Sequence, residues 1–128
     1  PDVMFLGYVN DRRLEELYST SAAVIIPLRY GAGVKGKVLE AMYYGTPVVS
    51  TTIGLEGVMG IENTMHPRDG AVNFGREIER ILNLSDEEYT IYKKQIRGII
   101  NDYYSFNAGA AIMKPLVDEI RSRSGISF

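Results

Sequence analysis

The feature that most restricts the fold of this sequence is an alternation of short apolar runs with helical patterns over its first half. The predicted strands are VMFL (residues 3–6), AAVII (22–26) and VVST (48–51). Between them lie two helical patterns, one that Asn10 caps and one from about residue 34 to 44. Apolar strands that alternate with helices pair in parallel and carry helices on both faces of the sheet. The first half therefore predicts an α/β fold.

The second half of the chain has a different pattern. A short last strand is predicted at residues 63–66, and helical spacing begins near residue 70, with Phe74, Ile78, Ile81 and Leu82 on one face. Ser85 and Glu88 form a capping box for the next helix. Since no long linker interrupts the chain, we expect one domain over residues 1–128. It has strand–helix alternation over about 1–66 and helices over about 70–125.

Composition excludes several classes of function. The 128 residues include 14 basic and 16 acidic side chains, a net charge of -2, and this balance does not favour nucleic acid as a partner. The sequence has no cysteine, and its single histidine, His66, has no second histidine for a metal site. A lone histidine in a loop is more often structural than catalytic. Because the chain opens at Pro1 rather than methionine, we expect it to be part of a longer protein.

The most informative segment is residues 27–50, PLRYGAGVKGKVLEAMYYGTPVVS. Gly31, Gly33 and Gly36 lie between a predicted strand and the first turn of a helix, where parallel α/β sheets bind ligands. Free amides and the helix dipole attract phosphate at such a helix start, and glycine lets the backbone approach it. The spacing matches neither the dinucleotide fingerprint nor the P-loop. The position of these glycines therefore indicates a phosphate site, whereas their spacing does not identify it.

The helix that follows has two distinct faces. At about 100° per residue, one face carries Gly33, Gly36, Lys37 and Glu40. The other face is predicted to enter the core and carries Val34, Val38, Ala41 and Met42. The carboxylate of Glu40 is able to accept two hydrogen bonds from a pair of sugar hydroxyls. The alternative is a solvated ion pair between Lys37 and Glu40, worth about 0.2–0.5 kcal/mol. Both interpretations remain open at this point.

The run GAGVKGKVLEAMYYGTPVVST, followed by GLEG, resembles the donor-binding pattern of group 1 glycosyltransferases, a family of retaining nucleotide-sugar enzymes with the GT-B fold. The resemblance is strong over about residues 3–58. It implies a Rossmann-like three-layer parallel sheet, the C-terminal half of a GT-B fold, followed by a helical C-terminal tail. It also implies that an N-terminal acceptor domain precedes this part of the protein.

The resemblance assigns roles to particular residues. The glutamate of E-A-M binds the donor ribose in that family, and here it is Glu40. The diphosphate would be held by the loop, that is by Gly31, Ala32, Gly33, Val34, Lys35 and Lys37. The segment FLGYVNDRRLEELYSTS resembles the part that contacts the base, which implies Tyr8 and Val9. Glu56, in the GLEG turn, either approaches the donor or is an ordinary turn carboxylate.

The sequence departs from the family pattern at Ala32, where many members carry a glutamate that contacts the donor sugar. The resemblance implies a nucleoside-diphosphate sugar as the substrate, no metal or other cofactor, and no catalytic residue within this chain. It further implies a cytoplasmic protein, associated peripherally with the inner face of the membrane. The chain alone is expected not to transfer sugar. The alternative is a degenerate or regulatory Rossmann-like module without transferase activity.

Overall fold

The computed structural model describes residues 2–124, and the side chains of residues 106–113 and 124 lie outside that description. In chain order, the elements are α1 (Asp11–Thr20), β1 (Val24–Ile26), α2 (Gly36–Tyr43), β2 (Val48–Ser50), α3 (Ala71–Leu82), α4 (Asp86–Tyr103) and α5 (Phe106–Ser124). The order of the first four elements confirms the alternation of helices and strands from α1 to β2.

Strands β1 and β2 form a parallel pair. Val24 lies opposite Val48 and Ile26 opposite Ser50, and α2 is the crossover between the two strands. The hydrogen-bond ladder extends one residue beyond each end of β2. Val24 N–H donates to the carbonyl of Pro47, and Thr51 N–H donates to the carbonyl of Ile26. Parallel pairing confirms the α/β character of the chain. Among the described residues the sheet has two strands, fewer than the Rossmann-like sheet that the resemblance implies.

The predicted strand at residues 3–6 is wrong. This segment has no regular secondary structure, and Phe5 is 98% exposed. An apolar run becomes a strand only where a neighbouring strand pairs with its backbone, and sequence periodicity does not report that neighbour. The short strand predicted at residues 63–66 is also wrong, because a turn occupies its place. Just beyond it, Arg68 N–H donates to Ser50 at 2.8 Å, so the chain does pass the end of β2.

The helix boundaries follow the predicted capping residues. The Asn10 side chain accepts from the Arg13 amide at 2.9 Å and begins α1. Ser85 and Glu88 form the predicted capping box of α4, with both hydrogen bonds present. Gly45 ends α2 with a φ of 70°, a left-handed conformation that glycine adopts without strain. Short-range side-chain chemistry thus determines where these helices begin and end.

The core lies between α2, β2 and α4. On α2, Val38, Ala41 and Met42 are completely buried, as predicted from the helical spacing, whereas Val34 lies before the helix and is 46% exposed. The predicted buried face of α3 is wrong at the C-terminal end of the helix, because Leu82 is 62% exposed. The core cluster also contains Ile26, Val48, Val49, Leu55, Val58, Ile61, Met65, Ile81, Tyr92, Ile96 and Ile99.

Candidate functional site

The glycine-bearing loop leaves the carboxyl end of β1 and leads directly into α2. Gly31 and Gly33 have φ values of 129° and 80°, in the region where other residues are strained. A Cβ atom added to Gly33 or Gly36 would meet nothing within 4 Å, so both glycines border open space. Lys35, the N-cap of α2, makes no side-chain capping hydrogen bond. The start of α2 therefore presents uncapped amides toward an open surface.

Lys35 has a structural task within this loop. Its Nζ donates to the carbonyl of Gly33 at 2.5 Å and to that of Ile53 at 3.2 Å. An ammonium has three donors, so one remains for a ligand. Lys37, in the first turn of α2, is exposed, as are Ala32 and Val34. The two lysines therefore differ in their surroundings. Lys35 connects the loop to the turn after β2, and Lys37 is exposed to solvent.

The turn of residues 54–57 (GLEG) lies directly on the ends of both strands. A Cβ added to Gly54 would collide with the Ser50 hydroxyl and come within 3.2 Å of the Ile26 carbonyl oxygen. A Cβ added to Gly57 would lie 3.0 Å from the Val34 side chain, so the turn also packs against the loop. Glu56 is exposed on this turn. Loop and turn together form one surface at the carboxyl ends of β1 and β2.

Glu40 is exposed on α2, and one of its oxygens is occupied. The Tyr18 hydroxyl donates to Oε2 of Glu40 at 2.8 Å. Burial, followed by the hydrogen bond and charge of Glu40, raises the pKa of Tyr18 to about 12. The phenol therefore stays protonated at neutral pH and acts as the donor. The second carboxylate oxygen, Oε1, remains available to a ligand.

Tyr18 is itself held in place from two sides. Its ring stacks on Tyr44, with centroids 5.7 Å apart and planes 9° from parallel. Its carbonyl accepts a hydrogen bond from the Thr46 hydroxyl at 2.5 Å, and Thr46 is completely buried. The partner of its hydroxyl, Glu40, lies 22 residues away in the sequence, so helical periodicity does not identify it. The available signal was that the hydroxyl of a half-buried tyrosine normally needs a partner.

The residues proposed for base contact lie before α1. Tyr8 is 92% exposed, and Val9 is half-buried. In the part of the chain that the structure describes, no hydrogen bond joins either residue to residues 31–40. The structure thus brings together the loop, the start of α2, Glu40 and the turn after β2.

A cavity of about 650 Å³ opens at the carboxyl ends of the two strands, on the side of α3. Leu28 and Thr51 line it from the strand ends, and Phe74 and Ile78 line it from α3. Residues 31–40 do not line this cavity, although Ile53 lies between the two regions and accepts a hydrogen bond from Lys35. The general rule for parallel sheets predicted a cleft at this edge. Which helix closes the cleft depends on tertiary packing, so the sequence did not indicate α3.

Two groups of polar contacts involve α3 and the segment that leads into it. Asp69 accepts from the backbone of Thr52 at 3.0 Å and from its hydroxyl, and these hydrogen bonds lower the pKa of Asp69. Glu77 is buried between Arg68 and Arg80, with a distance of 2.6 Å to Arg80 Nη2. Burial raises the pKa of Glu77, but the two arginines outweigh burial and lower it overall. Glu77 and Arg80 are three residues apart on α3, a spacing at which helical side chains meet, whereas Arg68 lies before the helix and its part in the network depends on how the chain enters α3.

Two further properties of residues 2–124 bear on the type of site. No three His, Cys, Asp or Glu side chains in this part of the chain lie close enough to one another to hold a metal ion, and His66 is exposed. None of the described helices combines the length and the apolar character that crossing a membrane would require.

Comparison with known proteins identifies the family. The family described as glycosyl transferases group 1 matches residues 1–84, a region that contains every candidate site residue. An uncharacterized glycosyltransferase of Methanocaldococcus jannaschii is 45% identical over 60 residues, which are 46% of this chain and 14% of the relative. The chain thus aligns with a small part of that relative's length. No solved structure matches the chain. Because residues 1–84 are more than half of the 128, the chain belongs to the group 1 glycosyltransferase family.

Proposed function

We propose that this chain binds the nucleoside-diphosphate part of a sugar donor, for transfer of the sugar to an acceptor by the intact protein. Family membership supports the class of reaction. The observation that carries the proposal is the arrangement of α2, which presents an uncapped, glycine-lined start and, one turn later, the exposed carboxylate of Glu40.

The start of α2 suits the diphosphate. The open space beside Gly33 and Gly36 allows phosphate oxygens to approach the backbone. Uncapped amides and the helix dipole both favour negative charge at this position. Lys37 and the remaining donor of Lys35 add positive charge, and Ala32 and Val34 contribute backbone only. During transfer, the same groups would stabilise the charge that develops on the leaving diphosphate.

Glu40 suits the ribose. It lies four residues beyond Gly36, about 6 Å along the helix axis. This separation is on the order of that between the diphosphate and the ribose hydroxyls of a nucleotide. An ionised carboxylate accepts hydrogen bonds only, and the ribose offers two hydroxyl donors. Tyr8 and Val9 would contact the base, and Glu56 would approach the sugar.

The proposal extends to features of the intact protein, for which the family resemblance is the support. Residues 1–128 would form one donor domain, part of a GT-B fold with a larger three-layer sheet and an N-terminal acceptor domain. Transfer would retain configuration and would need no metal or other cofactor. The protein would act in the cytoplasm, at the inner face of the membrane. The alternative, a degenerate module that binds nucleotide without transferring sugar, is favoured by Ala32 alone.

Amide NMR titration of the chain with UDP, GDP and ADP tests this proposal. We expect saturable shifts at Gly31, Gly33, Gly36 and Glu40 with one base, and much weaker binding in Glu40→Ala. Glu79→Ala, which removes an exposed carboxylate from α3, is the matched control and should bind as the wild type does. If no nucleotide shifts these amides at millimolar concentration, either in this chain or in a form of the protein extended upstream, the donor-site proposal is wrong.

A further inference from the structure

The contact between Tyr18 and Glu40 carries an inference that rests on the proposed function and extends it. We propose that Tyr18 is a positioning residue, whose hydroxyl fixes the carboxylate of Glu40 so that Oε1 faces the ribose hydroxyls. Tyr18 would not touch the nucleotide. It would act through Glu40 alone.

The geometry allows one tyrosine to hold this carboxylate. Glu40 and Tyr44 are one helical turn apart, and Tyr18 contacts both of them, through its hydroxyl and through its ring. The ring therefore lies along α2 from Tyr44 to Glu40. Since the backbone of Tyr18 is also bonded to the buried Thr46, the hydroxyl has a defined position relative to α2.

A held carboxylate binds better than a free one. Glu40 is exposed, and an exposed glutamate populates several rotamers, most of which would have to be lost when the ribose binds. The hydrogen bond to Oε2 selects one orientation before the nucleotide arrives, which lowers the entropic cost of binding. The phenol donates and a carboxylate accepts at several positions, so this bond leaves acceptors for both ribose hydroxyls.

A different role for the contact would be purely structural. In that case Glu40 would only satisfy the hydroxyl of Tyr18, and loss of the hydroxyl would change the stability of the chain without changing nucleotide affinity through Glu40. The two roles differ in energetic coupling. Removal of a positioning hydroxyl changes nucleotide affinity only while the Glu40 carboxylate is present. Removal of a purely structural hydroxyl has the same consequence with or without that carboxylate.

A double-mutant cycle measures that coupling. The probe is whichever of UDP, GDP and ADP binds the wild-type chain, and the variants are Tyr18→Phe, Glu40→Gln and the double variant. Tyr18→Phe keeps the ring and its stacking on Tyr44. We expect it to raise Kd about tenfold, a change of about 1.4 kcal/mol. In the Glu40→Gln background, the same substitution should change Kd less than about twofold.

A matched control separates this effect from the general loss of a tyrosine hydroxyl. Tyr89 is also half-buried, and its hydroxyl donates to the carbonyl of Ala22 at 2.8 Å. Tyr89→Phe therefore removes a similar hydrogen bond away from Glu40. Its Kd should equal that of the wild type. A denaturation curve of each variant verifies that it is folded under the conditions of the binding measurement.

A readout without nucleotide tests the contact itself. The Cζ resonance of Tyr18, followed by NMR to about pH 11, reports ionisation of the phenol. With a pKa raised to about 12, the wild-type phenol should stay largely protonated up to pH 11, and in Glu40→Gln a larger fraction of it should ionise by the same pH. An unchanged titration would show that the hydrogen bond is absent in solution and would overturn the inference, whatever the nucleotide does.

The outcomes distinguish the inference from the function on which it rests. If Tyr18→Phe weakens binding equally in both backgrounds, or not at all, Tyr18 does not position Glu40, and the proposed function stands. If Glu40→Gln binds nucleotide as tightly as the wild type, the ribose role of Glu40 is wrong and the inference fails with it. Coupling in the cycle together with a lowered pKa supports the inference.

Discussion

The two faces of helix α2 differ completely in their surroundings. The inner face, with Val38, Ala41 and Met42, is fully buried against β2 and α4. The outer face, with Gly36, Lys37 and Glu40, is exposed. Packing accounts for the residue types of the inner face, because each must fill the core. It does not account for those of the outer face, where the proposed nucleotide site would give glycine, lysine and glutamate a role.

The starts of the helices show the same difference. In α4, Ser85 and Glu88 satisfy the first amides with a capping box, which stabilises the helix in the absence of any ligand. In α2, no side chain caps the first amides. An uncapped start contributes less to stability and leaves amides for an anion. The start of α2, where binding is proposed, thus has less side-chain support than the start of α4.

Truncation on the inner face of α2 should have the largest effect on stability. Met42→Ala removes a completely buried side chain and leaves a cavity between α2 and its neighbours. We expect the free energy of unfolding to fall by about 2–5 kcal/mol. Urea denaturation measures this change. Lys37→Ala, on the outer face of the same helix, is the control and should change stability by less than about 0.5 kcal/mol. Equal losses from the two variants would contradict the division of α2 into a packing face and a binding face.

A methyl group in the turn after β2 should have the next largest effect. Gly54→Ala places a Cβ against the Ser50 hydroxyl and the Ile26 backbone, where no space is available. We expect a loss of about 1–3 kcal/mol, measured by thermal unfolding. Gly98→Ala, in α4, meets nothing within 4 Å and should stabilise the helix by about 0.5–1 kcal/mol. A Gly54→Ala variant as stable as the wild type would show that the turn does not lie on the strand ends.

The ion pairs of Glu77 should contribute a smaller amount to the free energy of unfolding, and this contribution should depend on pH. Its pKa is lowered in the folded protein, because Arg80 and Arg68 outweigh the effect of burial. Its contribution is therefore complete above its ordinary pKa of 4.5 and is lost as pH falls from there through the folded pKa. At neutral pH, Glu77→Gln should cost about 1–2 kcal/mol. The difference from the wild type should shrink at acidic pH in denaturant titrations. The exposed Glu79→Gln should show no such change, and a difference for Glu77→Gln that is constant with pH would contradict the network.

The sequence predicted those parts of the fold that depend on neighbouring residues. Asn10 and Ser85 act within one helical turn, and their roles at the starts of α1 and α4 are as predicted. The buried positions Val38, Ala41 and Met42 follow from helical periodicity. Residues 3–6 were assigned wrongly, because strand formation depends on a partner that the run itself does not specify.

In the candidate site, too, the features that depend on nearby residues were predicted and those that depend on distant residues were not. The glycine loop was proposed from residue type and position relative to a strand and a helix, and the role of Glu40 was proposed from the family resemblance. The hydroxyl of Tyr18, the double hydrogen bond of Lys35 and the α3 side of the cavity were not, because each joins segments far apart in the sequence. The steric reason for Gly54 likewise became apparent only when the turn was placed on β1 and β2.

The central claim is that the outer face of α2 binds a nucleotide with its ribose at Glu40. Calorimetric comparison of a nucleoside diphosphate with its 2′,3′-dideoxy analogue, in the wild type and in Glu40→Gln, tests it most directly. We predict that the wild type binds the natural nucleotide about tenfold or more tightly than the analogue, and that Glu40→Gln largely loses this preference. Equal affinity of the wild type for both ligands, or an undiminished preference in Glu40→Gln, would contradict the claim.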